Sequence, residues 1–168
     1  MVSSEEMMAT GDRLVARPKG FFGRFYDLRA NEQSLGELTI GYPYSGSIQI
    51  GEQTLEVTAD GAAAGGWALL RCGVERASAR RIDLFSNSFC VRSDGHKYVA
   101  EERLMPQGFR VRDSKTSNEV ARISGPGPIR SKVVVEIDLH LPLQVTCFLA
   151  FSAIYMEYQA MDWSDPSG

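Results

Sequence analysis

Histidine, cysteine and the short motifs of catalysis are scarce in this chain. Its 168 residues hold two histidines and three cysteines. There is no Gly-x-Ser-x-Gly elbow, no glycine-rich phosphate loop ending in Lys-Ser/Thr, and no His-Glu-x-x-His pair, so the common hydrolase, nucleotidase and metalloprotease chemistries have no footing. Cys72, Cys90 and Cys147 are too few and too scattered for a disulfide framework or a zinc site and read as reduced core thiols of a cytoplasmic protein. An alternating Asp calcium loop is also missing. The net charge of −3 is not that of a general nucleic-acid binder. The first residues, MVSSEEMMATGD, are acidic and lack the apolar centre of a secretory signal. No catalytic residue, metal ligand or cofactor is assigned.

The two histidines are the remaining candidates for a base at neutral pH. His96 follows Ser93-Asp94-Gly95, a turn composition that leaves it solvated. His140 precedes the terminal apolar segment, where it could bond locally. A Cys90–His96 pair would offer a nucleophile and base, but the spacing does not demand it.

Strand signals fill most of the chain. Leu35 to Ile40 alternates, Tyr42-Pro43-Tyr44-Ser45-Gly46 breaks the pattern, and Ile48, Ile50, Leu55 and Val57 alternate around a Gly51-Glu52 turn. A Gly61 to Gly66 loop follows, then Trp67 to Leu70. Period two continues through Arg81 to Phe85, Phe89 to Arg92, Lys97 to Ala100, Phe109 to Arg112, Glu119 to Ile123 and Lys132 to Asp138. Arg13 to Ala16 and Arg24 to Leu28 are weaker candidates. Together they give about twelve strands at the ~8–12-residue spacing of an all-β sandwich or barrel. No composition shift marks a domain boundary. The expected organisation is a loose N-terminus over 1–12, one domain over 13–161 and a loose tail over 162–168.

The one long apolar run is Leu141 to Met156. It is hydrophobic on every side, so it needs an enclosure of protein or lipid. It falls short of the ~20 residues of a bilayer span. Pro142, Gln144, Thr146 and Ser152 interrupt it, and no Lys or Arg cluster flanks it. The reading is a helix over about 142–157 threaded through a β structure, with Phe148, Leu149, Phe151, Ile154 and Tyr155 as its core side chains. No integral membrane segment is expected.

The hairpin of Phe89 to Tyr98, then Phe109-Arg110-Val111-Arg112-Asp113, Glu119-Val120-Ala121-Arg122-Ile123 and a buried apolar helix together resemble the tubby C-terminal-like superfamily. That group includes the tubby domain, the phospholipid scramblases and the LURP-one-related proteins. The resemblance spans roughly Leu35 to Met156 and rests on element order and loose patterns. It implies a closed antiparallel β-barrel of about twelve strands around a buried C-terminal helix. A barrel this wide cannot be filled by its own strands, so the physics and the resemblance agree.

Arginine is the residue type with functional promise. Arg76, Arg80 and Arg81 crowd one segment, and Arg110 and Arg112 share a strand face. Arg71, Arg103, Arg130 and Lys132 add to the basic residues. Tubby domains bind phosphoinositide headgroups through basic barrel residues, and a guanidinium bonds two phosphate oxygens at once. No lipid-site motif of that family aligns here, so the five arginines stand as candidate anion-binding residues on their own chemistry. The expected function is a non-enzymatic binding module, cytoplasmic or peripheral to a membrane, that contacts acidic phospholipid or a protein partner. A barrel carrying a small apolar ligand, with the helix outside as a lid, is the alternative. An enzyme using Cys90 or His96 is the weaker third.

Overall fold

Side chains that alternate between a buried and a solvated face build most of this molecule. The computed structural model describes residues 6–20, 24–41, 45–60, 66–104, 107–126 and 132–164. The strands are β1 (Met7–Met8), β2 (Arg13–Lys19), β3 (Phe25–Ala30), β4 (Gln33–Gly41), β5 (Ser45–Ile50), β6 (Gln53–Asp60) and β7 (Gly66–Arg71). They continue as β8 (Val74–Arg81), β9 (Phe89–Ser93), β10 (His96–Leu104), β11 (Gln107–Asp113), β12 (Glu119–Ser124), β13 (Val133–Ile137) and β14 (Leu141–Pro142). Among the described residues one helix, α1 (Leu143–Ser164), follows.

β2 to β13 form a closed barrel of twelve antiparallel strands among the described residues. The barrel closes where β13 meets β2, with Val134 opposite Val15 and Val135 opposite Leu14. Ile48 and Ile50 of β5, Leu55 and Val57 of β6, and Phe89 and Val91 of β9 point inward and are buried. Closure removes the unpaired edges that invite aggregation. Gly36 and Gly108 permit two close strand approaches. A Cβ at either would collide with a neighbouring carbonyl, that of Gln49 or of Ile123.

A ring of twelve strands leaves a lumen wider than its own side chains fill, and α1 occupies it. Leu143 through Met156 are buried without a break, which one-sided packing cannot produce. Phe151 lies against Gly46 of β5. On β7, the Trp67 ring packs on Tyr155 at 5.1 Å, and its indole N–H donates to Ser152 Oγ at 2.8 Å. That bond satisfies two polar groups that burial would otherwise leave unpaired. Gln144, Thr146 and Ser152 interrupt the run without exposing it, although Gln144 Oε1 is buried with no hydrogen-bond partner, and Pro142 is half-buried just before the helix. Thr146 Oγ1 donates back to the Pro142 carbonyl at 3.1 Å. All five expected core residues of the helix lie in the lumen.

Several boundaries differ from the sequence reading. The strand expected over Arg81 to Phe85 does not form. β8 spans Val74–Arg81 instead, and residues 82–88 are a loop. The inward residues of β8 are Ala77 and Ala79, too small to raise an apolar signal, while Ile82 and Leu84 imitate alternation. The Asp83 carboxylate takes the Phe85 and Ser86 amides, which diverts them from any ladder. At the N-terminus, within the stretch expected to be loose, Met7–Met8 pairs with Leu141–Pro142. The Gly11 amide also donates to the Ile137 carbonyl at 2.8 Å. At the other end α1 continues past 157 to Ser164. Of the expected breaks, Ser45 and Gly46 belong to β5 and Gly66 to β7, while residues 42–44, 61–65 and 127–128 and Arg130 lie outside the described residues.

Candidate functional site: a basic end of the barrel with an apolar tip

Strand direction sorts the loops. The even-numbered strands β2 to β12 all finish at one end of the barrel, here the exit end. Short turns at 31–32, 51–52, 72–73 and 94–95 mark the other, the turn end. The helix enters at the turn end, after β13, and runs towards the exit end. There Glu157 to Ala160 become half-buried.

The 82–88 connection dominates the exit end. Leu84 is 85% exposed and Phe85 99% exposed, while Leu104 at the tip of β10 is 82% exposed. These side chains stand on a hydrogen-bonded frame. Asp83 Oδ1 accepts from the Phe85 amide at 2.8 Å and the Ser86 amide at 2.7 Å, and Oδ2 accepts from Ser86 Oγ at 3.0 Å. The Phe85 amide bond, followed by the Ser86 hydroxyl, holds the Asp83 carboxyl below its ordinary pKa. The loop is tied to β10 as well. The Asn87 amide donates to Glu102 Oε1 at 3.3 Å, and the Glu102 amide donates to Ser88 Oγ at 2.9 Å. A polar scaffold thus holds two large apolar side chains out in water.

Cations surround that tip. Arg80 and Arg81 end β8, Arg103 precedes Leu104, and Arg24 and Lys132 stand at the starts of the strands across the rim. Among the described residues Arg80, Arg103, Arg24 and Lys132 have no ion-pair partner. Arg81 faces Asp83, and Lys19 is engaged by Glu37 at 2.9 Å. The described carboxylates near this end include Asp83, Glu102 and Glu157. Burial, then the charge of Glu102, raises the pKa of Glu157.

The five arginines singled out from sequence part into three places. Arg80 and Arg81 belong to the exit rim. Arg76 lies four residues back, about 13 Å along the strand, in a groove of about 440 Å³ that also includes Arg92, His96 and Lys97 with Glu75 and Asp94. Arg110 and Arg112 sit in a lattice of ion pairs on the outer wall. Arg110 meets Glu119 at 3.2 Å, Arg112 meets Glu101, and Arg122 bridges Glu119, Glu136 and Asp138. Such exposed pairs contribute little stability each, but they neutralise the arginines that would have to bind an anion. The five arginines do not form one patch. Leu84, Phe85 and Leu104 were not anticipated, and the Asp83-x-x-Ser86 turn spacing was the signal that could have marked them.

The catalytic candidates do not converge. Cys90 pairs with Val99 and His96 with Ser93, three positions apart, or about 10 Å along the ladder. His96 is exposed and stacks on Tyr98 at 6.0 Å; His140 is exposed too. All three cysteines are free, but only Cys147 is buried; Cys72 is exposed and Cys90 intermediate. The reading as core thiols is corrected for those two, since Cys72 occupies a turn at φ 51° and Cys90 faces outward between buried Phe89 and Val91. Burial pushes the Cys147 thiol up to about 12, so it is inert at neutral pH. Among the described residues no cluster of His, Cys, Asp and Glu is arranged to hold a metal, and no helix is long and apolar enough to cross a membrane. No protein-family model matches the chain, and neither a curated protein nor a solved structure does.

Proposed function

We propose that this protein is a non-enzymatic binding module whose exit end meets the acidic headgroups of a phospholipid surface. The observation that carries the reading is a cluster of cations around an exposed apolar tip; Arg92 and Lys97 at the turn end also lack an ion-pair partner among the described residues, but they share their groove with Glu75 and Asp94 and border no such tip. Arg80, Arg103, Arg24 and Lys132 gather at one end of a chain whose net charge is −3, while the arginines of the outer wall are neutralised by carboxylates. A local excess of one sign against an opposite overall charge orients a protein on a charged surface and raises its encounter rate. Each Lys or Arg near an anionic leaflet is worth about 1 kcal/mol.

The twelve-strand barrel around a helix is the architecture that resemblance to the tubby-like superfamily implies, and membership in that group is part of the proposal. The peripheral, cytoplasmic placement is proposed with it. The carrier alternative finds little support, because the lumen it needs holds α1.

Sedimentation with vesicles tests the reading. The protein should bind phosphatidylserine-containing vesicles but not pure phosphatidylcholine, more weakly at physiological than at low salt. An Arg80→Glu/Arg103→Glu variant should lose the binding. Absence of binding to either vesicle at low salt would refute the proposal and point to a protein partner.

A further inference from the structure

We propose that the 82–88 loop is a membrane-insertion wedge: Leu84 and Phe85 enter the acyl boundary of an anionic bilayer while Arg80, Arg81 and Arg103 hold headgroup phosphates. This inference rests on the binding reading above and adds a direction and a depth to it.

Three observations carry it. First, the exposure is built in. Leu84 and Phe85 are 85% and 99% exposed, yet their backbone is fastened through Asp83, Ser86 and Ser88 to β10. A loop that only needed to be soluble would place its polar side chains outward. Here Asp83, Ser86 and Ser88 spend their hydrogen bonds on the frame and the apolar pair is left at the apex. Apolar surface presented in this way marks an interaction site. Second, Leu104 is 82% exposed at the end of β10, the strand that the loop leans on, so the apolar area has a second contributor on the same rim. Third, cations flank the tip. An apolar apex bordered by basic residues matches the layered chemistry of an anionic bilayer, with acyl chains beneath phosphates.

The same charges disfavour a second copy of the chain as the occupant. A twofold contact brings each patch onto itself, which would set Arg80, Arg81 and Arg103 against their own duplicates. Among the described residues the barrel is closed, and where β10 runs past β9 its Glu102 amide is already taken by Ser88 Oγ, which leaves little free strand edge for a peptide to extend.

Insertion is read by tryptophan fluorescence. Phe85→Trp is placed in a Trp163→Phe background, so that only the buried Trp67 is common to the variant and its parent. On phosphatidylserine vesicles the new tryptophan should shift to the blue and be quenched by lipids brominated on the acyl chain, while the parent is not. Leu84→Ala/Phe85→Ala should weaken binding to the same vesicles about tenfold or more, with an unchanged melting temperature because neither side chain is packed. Normal vesicle binding without acyl-chain quenching, or with full affinity in the alanine variant, would overturn insertion and leave headgroup binding standing. Failure of the unaltered protein to bind any anionic vesicle would overturn both. A concentration-dependent dimer abolished by the alanine variant would assign the wedge to self-association and overturn the proposal.

Discussion

A helix inside a closed barrel makes a specific demand at Gly46. A Cβ built there would lie 2.5 Å from both Cε2 and Cζ of Phe151 and 2.7 Å from the Thr39 carbonyl oxygen. Phe151 is fully buried, with its ring stacked on Tyr155 at 6.0 Å, and cannot step aside without disturbing that neighbour. Gly46→Ala should therefore cost about 1–3 kcal/mol, the usual effect of overpacking a filled core. Phe151→Ala should cost about 3–5 kcal/mol through lost burial and the cavity it leaves. The two changes should not add. In the double variant the alanine methyl occupies space that the ring vacates, while the Thr39 oxygen still crowds it, so about 1 kcal/mol of the summed cost should be recovered. Urea unfolding of the four proteins, with m-values compared to confirm a common denatured state, gives the coupling directly. Costs that add within ~0.5 kcal/mol would mean that Phe151 does not face β5, and the lumen position of α1 would fall.

The cysteines should separate in a thiol-labelling assay under native conditions. Cys72 should react at once and Cys147 only on unfolding, since it is fully buried with its pKa pushed up to about 12; early reaction at Cys147 would contradict the packing. Glu157 has a folded pKa raised above its ordinary 4.5 by burial and then by Glu102. Its stabilising contribution is thus full below the ordinary value and lost as pH rises through the folded one. Glu157→Gln should melt higher than the unaltered protein at pH 7, with the difference closing as pH falls towards 4, and an equal or lower melting temperature at pH 7 would refute the assignment.

The legible parts of the fold were those where one face is strongly apolar. Ile48, Ile50, Leu55 and Val57 revealed β5 and β6 because large side chains must alternate where one side is wet and the other packed. The run from Leu141 to Met156 revealed the lumen helix for the opposite reason, being apolar all round. β8 stayed hidden because what faces inward there is Ala77 and Ala79. The same arithmetic put a strand on Ile82 and Leu84, where hydrogen bonds to a single carboxylate outweigh the alternation. The site was harder to read. Charge in a sequence carries no partner, so Arg110 and Arg112 looked as available as Arg80, and only the register of β10, β11 and β12 brings Glu101 and Glu119 onto them. Exposure is equally silent, since Leu84 and Phe85 have the composition of core residues until their neighbours are known.

Hydrogen–deuterium exchange of the protein with and without phosphatidylserine vesicles tests the central claim most directly. Amides of residues 80–88 and 103–104 should gain protection on the vesicles, while the turns at 51–52 and 94–95 keep their free rates. Protection at those turns, or over the Arg76 groove with none at 80–88, would contradict the assignment of the exit end as the binding face.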